Sequence, residues 1–134
     1  MFGRTHLRKL AAHTVLLSSA LTLLACAPPT IEVDHPFYLT YFESPDEMAL
    51  FRCPRGPDQG CAIDGLPGAT VSAAGANDHY ITVRNSAGYW YFARIPRETA
   101  GWGDDPEKIV GPLSEPAFRA AAAKLDLPEL NVRP

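Results

Sequence analysis

The sequence predicts an α+β fold: a small, mostly antiparallel sheet of four or five strands, open or curled on itself, with one C-terminal helix. Three observations predict it. Aromatic and β-branched runs recur between turn residues, which is the pattern of short strands. One stretch near the C-terminus carries apolar residues at helical spacing. The chain is also rich in residues that break elements: all 13 prolines and nine of the ten glycines lie beyond residue 25, so elements are short and turns many.

The first strand is predicted over Phe37-Tyr38-Leu39-Thr40-Tyr41-Phe42, ended by the turn-forming Ser44-Pro45-Asp46. Glu47 to Cys53 reads as a second strand, with Met48 and Leu50 on one face and Ala49 and Phe51 on the other. Asp64-Gly65-Leu66-Pro67-Gly68 interrupts the chain before a short strand at Ala69 to Ala74. The clearest unit is a hairpin: His79 to Arg84, a turn at Asn85-Ser86-Ala87-Gly88, then Tyr89 to Ile95, closed by Pro96. Residues 97–108, RETAGWGDDPEK, have no period and read as a surface loop. After Ile109-Val110-Gly111-Pro112-Leu113, Ser114 can cap a helix whose first turn holds Glu115 and Pro116. Phe118, Ala121, Ala122 and Leu125 share one face of it, and Pro128 ends the pattern.

The N-terminus obeys different rules. Arg4, Arg8 and Lys9 precede an almost wholly apolar run from Leu10 to Ala25, the charge-then-apolar layout of an export signal. The run is shorter than the roughly 20 residues that a membrane-spanning helix needs. Its ending, Leu23-Leu24-Ala25-Cys26, resembles the lipobox of bacterial lipoproteins. That resemblance covers residues 1–26 and implies cleavage before Cys26, a lipid thioether on its sulfur and anchorage by two or three acyl chains, which hold a membrane durably. It also implies a place in the cell envelope, and Ala27, where an aspartate would favour retention at the inner membrane, points to the periplasmic face of the outer membrane. The segment Tyr80 to Leu127, a strand pair, a GPLS turn and a phenylalanine-led helix, resembles the ending of small bacterial lipoproteins with no assigned activity. The alternative for the N-terminus is an ordinary secretory signal in which Cys26 is incidental.

The chain then divides into a signal (1–25), a lipidated cysteine and stiff Pro-containing tether (26–35), and one globular domain (36–134). Without the signal the balance is 12 − 3 = 9 Lys and Arg against 15 Asp and Glu. So acidic a domain is not expected to bind nucleic acid or to carry a polybasic membrane patch. Cys53 and Cys61 enclose the turn-rich PRGPDQG, and an oxidising compartment pairs such cysteines. Free thiols or a metal site are the alternatives, and the C-x-x-C and multi-ligand spacings that those uses favour are missing.

Little points to catalysis. G-x-S-x-G, Walker, dinucleotide and H-E-x-x-H motifs are all absent, and no metal or cofactor is implied. His35 and His79 each follow an aspartate and read as surface residues, and Glu98, Asp104, Asp105 and Glu107 as a solvated acidic loop. The aromatics are more informative. Tyr89, Tyr91, Ala93 and Ile95 alternate with Trp90, Phe92 and Arg94, and a single helix covers only one face of a sheet. Either the sheet curls around these rings, or some of them form an exposed binding patch, with Tyr80, Trp90 and Trp102 as its candidates. The function expected is that of a non-enzymatic module binding an envelope protein. An inhibitor or immunity protein against a hydrolase is the alternative, and an enzyme whose site has no motif is a third reading.

Overall fold

A computed structural model describes residues 29–63, 65–94 and 108–134. Cys26, the signal, residues 27 and 28, and most of the predicted loop, including Trp102 and its acidic neighbours, lie outside the described residues. The described chain orders as β1 (Ile31–Asp34), β2 (Phe37–Tyr41), β3 (Met48–Arg52), a 3-10 turn (Pro57–Gln59), β4 (Val71–Ala76), β5 (Tyr80–Asn85), β6 (Gly88–Ala93), β7 (Ile109–Leu113) and α1 (Glu115–Leu125). The class is as predicted: α+β, antiparallel, with one C-terminal helix.

The strands do not form one sheet. They divide into a three-stranded sheet, β1-β2-β3, and a four-stranded sheet, β4-β5-β6-β7, each in sequence order. Alternation explains the division. In the first sheet Phe37, Leu39, Met48 and Leu50 share one face, and in the second Ala74, Ile81, Val83 and Phe92 do. These residues belong to one buried cluster, in which the Phe37 and Phe92 rings lie edge to face at 5.7 Å. Two apolar faces cover each other, as in a sandwich, and no closed barrel is needed.

Two expected boundaries change. Residues 31–34, assigned to the tether, form β1 instead. Ile31 and Val33 pack against the core and Ile31 pairs with Leu39, so pairing with β2 makes a strand of a segment too short to announce itself. Residues 109–113, unassigned in the sequence, form β7. Its register shifts between the partners of Tyr89 and Tyr91, because Gly111 bulges there with φ 146°. A Cβ on Gly111 would sit 2.6 Å from the Trp90 ring, so the indole lies directly over this glycine.

Buried polar side chains join the parts. The Arg94 guanidinium donates to the Asp34 carboxylate and, at 2.9 Å each, to the carbonyls of His35 and Asn77. The end of β6 is thereby tied to the end of β1. Asn85, at the hairpin turn, donates to the Gly68 carbonyl at 2.9 Å and accepts from Ala87 N–H and from the Trp90 indole at 2.8 Å. Cys53 and Cys61 are bonded (S–S 2.07 Å), closing the turn-rich loop as expected. The adjacent Arg52 and Ala62 exchange two backbone hydrogen bonds, of 2.8 and 2.9 Å.

Candidate functional site

The outer face of the four-stranded sheet carries Tyr80, Thr82 and Arg84 from β5 and Tyr89 and Tyr91 from β6, by the pairings Thr82 with Tyr91 and Arg84 with Tyr89. What lies over this face is built by the last third of the chain. Ser114 caps α1, its hydroxyl accepting from Ala117 N–H at 3.4 Å. The cap sets the helix so that Phe118, one turn in, stacks on Tyr89 with centroids 5.0 Å apart and planes 25° from parallel. Ala121, Ala122 and Leu125, the other members of the predicted face, are partly buried, whereas the opposite side of the helix is exposed.

Asp126, left-handed at φ 54°, ends the helix and turns the chain back. The segment after it is fastened at successive points. Asn77 donates to the Asp126 carbonyl at 2.9 Å and Thr82 to that of Pro128 at 3.1 Å. Glu129 passes so close over Gly75 that a Cβ there would meet its carbonyl oxygen at 1.9 Å. Val132 then pairs with Ala74 through two 2.9 Å backbone bonds.

Between helix and tail runs a groove of about 500 Å³. Ala73, Arg84 and Tyr89 form its floor. One wall is the helix, through Glu115, Phe118 and Arg119; the other is the tail, through Glu129, Leu130 and Arg133. The Arg84 guanidinium lies 5.4 Å from the centre of the Tyr89 ring, a cation–π placement that holds a flexible cation at the floor. Arg119 is ion-paired with Glu115 one turn earlier, and both side chains are largely exposed. The groove therefore presents a stacked ring pair, a guanidinium on its floor, and two guanidinium and two carboxylate groups on its walls. Guanidinium groups are chemically suited to carboxylates and exposed rings to apolar side chains.

The aromatic candidates fall in three places. Tyr80 is on the outer face, half-buried, edge to face with Tyr91 at 6.3 Å. Trp90 is on the inner face, opposite Val83, packed against the core and hydrogen-bonded to Asn85. Trp102 lies outside the described residues. Tyr80 and Trp90 thus do not share a surface, because they occupy alternate positions of paired strands. The rings that line the groove are Tyr89 and Phe118.

The two histidines also separate. His79 is exposed, as expected, but His35 is half-buried, with Nδ1 3.3 Å from the Tyr38 hydroxyl. Burial, and then the negative charge of Glu32, push the Tyr38 phenol above its ordinary pKa. Among the described residues no three His, Cys, Asp or Glu side chains are gathered to hold a metal ion. Nor is any described helix long and apolar enough to cross a membrane.

Sequence reading missed Arg84, Arg119, Leu130 and Arg133 as a group. Arg84 is legible as outward-facing from the alternation of β5, and Arg119 as the i+4 partner of Glu115. Nothing local places Arg133 beside them, since that depends on the tail turning back at Asp126. No family model matches the chain, and neither does any curated protein or solved structure.

Proposed function

We propose that the chain is a lipid-anchored protein of the bacterial envelope, held through Cys26 at the periplasmic face of the outer membrane, that acts by binding another envelope protein and catalyses no reaction. The observation that carries this reading is the groove, where aromatic and arginine side chains, the types enriched at binding hot spots, converge on one surface. The LTLLAC ending supports the anchor. The Cys53–Cys61 bond supports an oxidising compartment.

Two measurements test the proposal. Cys26→Ser is expected to abolish incorporation of labelled fatty acid and to release the protein from membranes; normal labelling of the variant would remove the anchor. A photo-crosslinking side chain placed at Leu130, which lines the groove, is expected to trap one envelope protein in intact cells. Adducts from exposed positions away from the groove, with none from Leu130, would refute the site. A trapped hydrolase would make the protein an inhibitor.

A further inference from the structure

We infer that the groove takes an acidic peptide segment carrying an aromatic side chain, with the carboxylates on Arg84, Arg119 and Arg133 and the ring against Tyr89 and Leu130. The inference rests on the binding-module reading and specifies its partner.

Charge is the first argument. The chain is acidic overall, yet three of the eight Lys and Arg among the described residues, all arginine, line this one groove and outnumber its two carboxylates, Glu115 and Glu129. A guanidinium presents a planar fork that matches a carboxylate with two parallel hydrogen bonds, which the ammonium of lysine does not do. The lining already contains a carboxylate in that role, since Glu115 is ion-paired with Arg119. The pair is exposed, and exposed pairs are weak, so a partner's carboxylate can replace it at little cost.

Shape is the second argument. Tyr89 on the floor and Phe118 and Leu130 on the two walls give the groove an apolar lining, and its volume of about 500 Å³ admits a few side chains but no folded domain. A phosphate or a uronate would engage the arginines and leave that lining uncovered, whereas a segment with acids flanking an aromatic residue uses both. Arg84 is held over Tyr89 before any partner arrives, which lowers the ordering cost of binding.

The test uses the full chain in a mild non-ionic detergent and a labelled, end-capped Asp-Glu-Phe-Asp-Glu peptide, followed by fluorescence anisotropy. Saturable binding is expected, weakened about tenfold when the Phe is replaced by Ala, and about tenfold by Arg84→Ala or Arg133→Ala. Both arginines are exposed, so thermal melts of these variants are expected to match the wild type. The doubly reversed Arg84→Glu/Arg133→Glu chain is expected to bind Lys-Lys-Phe-Lys-Lys instead. Arginine variants that bind the acidic peptide like the wild type would overturn the inference. So would polygalacturonate or phosphatidylglycerol vesicles captured with the same arginine dependence while the peptide is ignored. If the peptide fails but Leu130 still traps an envelope protein, the acidic class falls and the binding module stands; if both fail, both fall.

Discussion

Trp90 shows how one side chain serves the interior without being enclosed by it. Its ring lies over Gly111 and against the core, and its N–H is taken by Asn85. Trp90→Ala is expected to cost about 2 to 4 kcal/mol of stability, toward the lower end of what a fully buried ring costs, and to leave binding by the folded fraction intact. Chemical denaturation and peptide titration of the same variant check both halves. Arg94 is the second such residue. Alternation placed it on the face of Trp90 and Phe92, but its partner Asp34 is 60 positions away, and no local pattern reports that. Arg94→Ala removes the guanidinium that ties Asp34 to the carbonyls of His35 and Asn77, with an expected loss of about 2 to 4 kcal/mol, read from denaturant midpoints. Tyr38 adds a pH dependence. Burial and then the charge of Glu32 raise its pKa above the ordinary tyrosine value of 10.0, so the unfolded chain gives up this proton at a lower pH than the folded one. Stability is expected to be flat in this group below about pH 10 and to fall as the pH rises through the higher folded value. Urea midpoints on either side of that value, for wild type and Tyr38→Phe, check the slope, which the variant is expected to lose.

Among the elements, those with a strong local pattern were legible. The β5–β6 hairpin lies within a residue or two of its predicted limits, and α1 starts at the predicted cap with the predicted face inward. β1 and β7 were not legible for opposite reasons. Ile31–Asp34 is only four residues long and follows prolines, while Ile109–Leu113 has a Gly-Pro step that breaks the strand pattern. Each is a strand because a neighbour supplies its hydrogen bonds. The disulfide loop is an element with its own energetics. Closing so short a ring contributes about 2.5 kcal/mol through chain entropy, and the two Arg52–Ala62 backbone hydrogen bonds beside it do not involve the sulfurs. Cys53→Ser/Cys61→Ser is therefore expected to lower stability by about 1 to 3 kcal/mol without unfolding the domain, as read from denaturant midpoints with and without reductant.

At the level of the whole molecule, the excess of aromatic residues over what one helix covers was visible in the sequence, but its resolution was not. The two alternatives were a curled sheet and an exposed face. The chain instead makes two sheets that cover each other, and the second keeps helix and tail over its other face. Which strands pair is decided by contacts between distant segments, and a hydrophobic pattern read along one chain does not encode them. The groove inherits the same limit, because its tail wall exists only where Glu129 crosses Gly75. Gly75→Ala is expected to lift that wall, lowering the melting temperature and abolishing peptide binding together, in contrast to the arginine variants, which are expected to weaken binding about tenfold and leave the melt unchanged. The pairing of Val132 with Ala74 also has a meaning in time. Fifty-eight positions separate them, from 74 to 132, and a chain is made from its N-terminal end. While β4 has already emerged and its cover has not, its outer edge bears backbone donors and acceptors open to any passing strand. For that interval the chain is a template as well as a folding protein, and residues 127–133 are the intramolecular competitor that ends it.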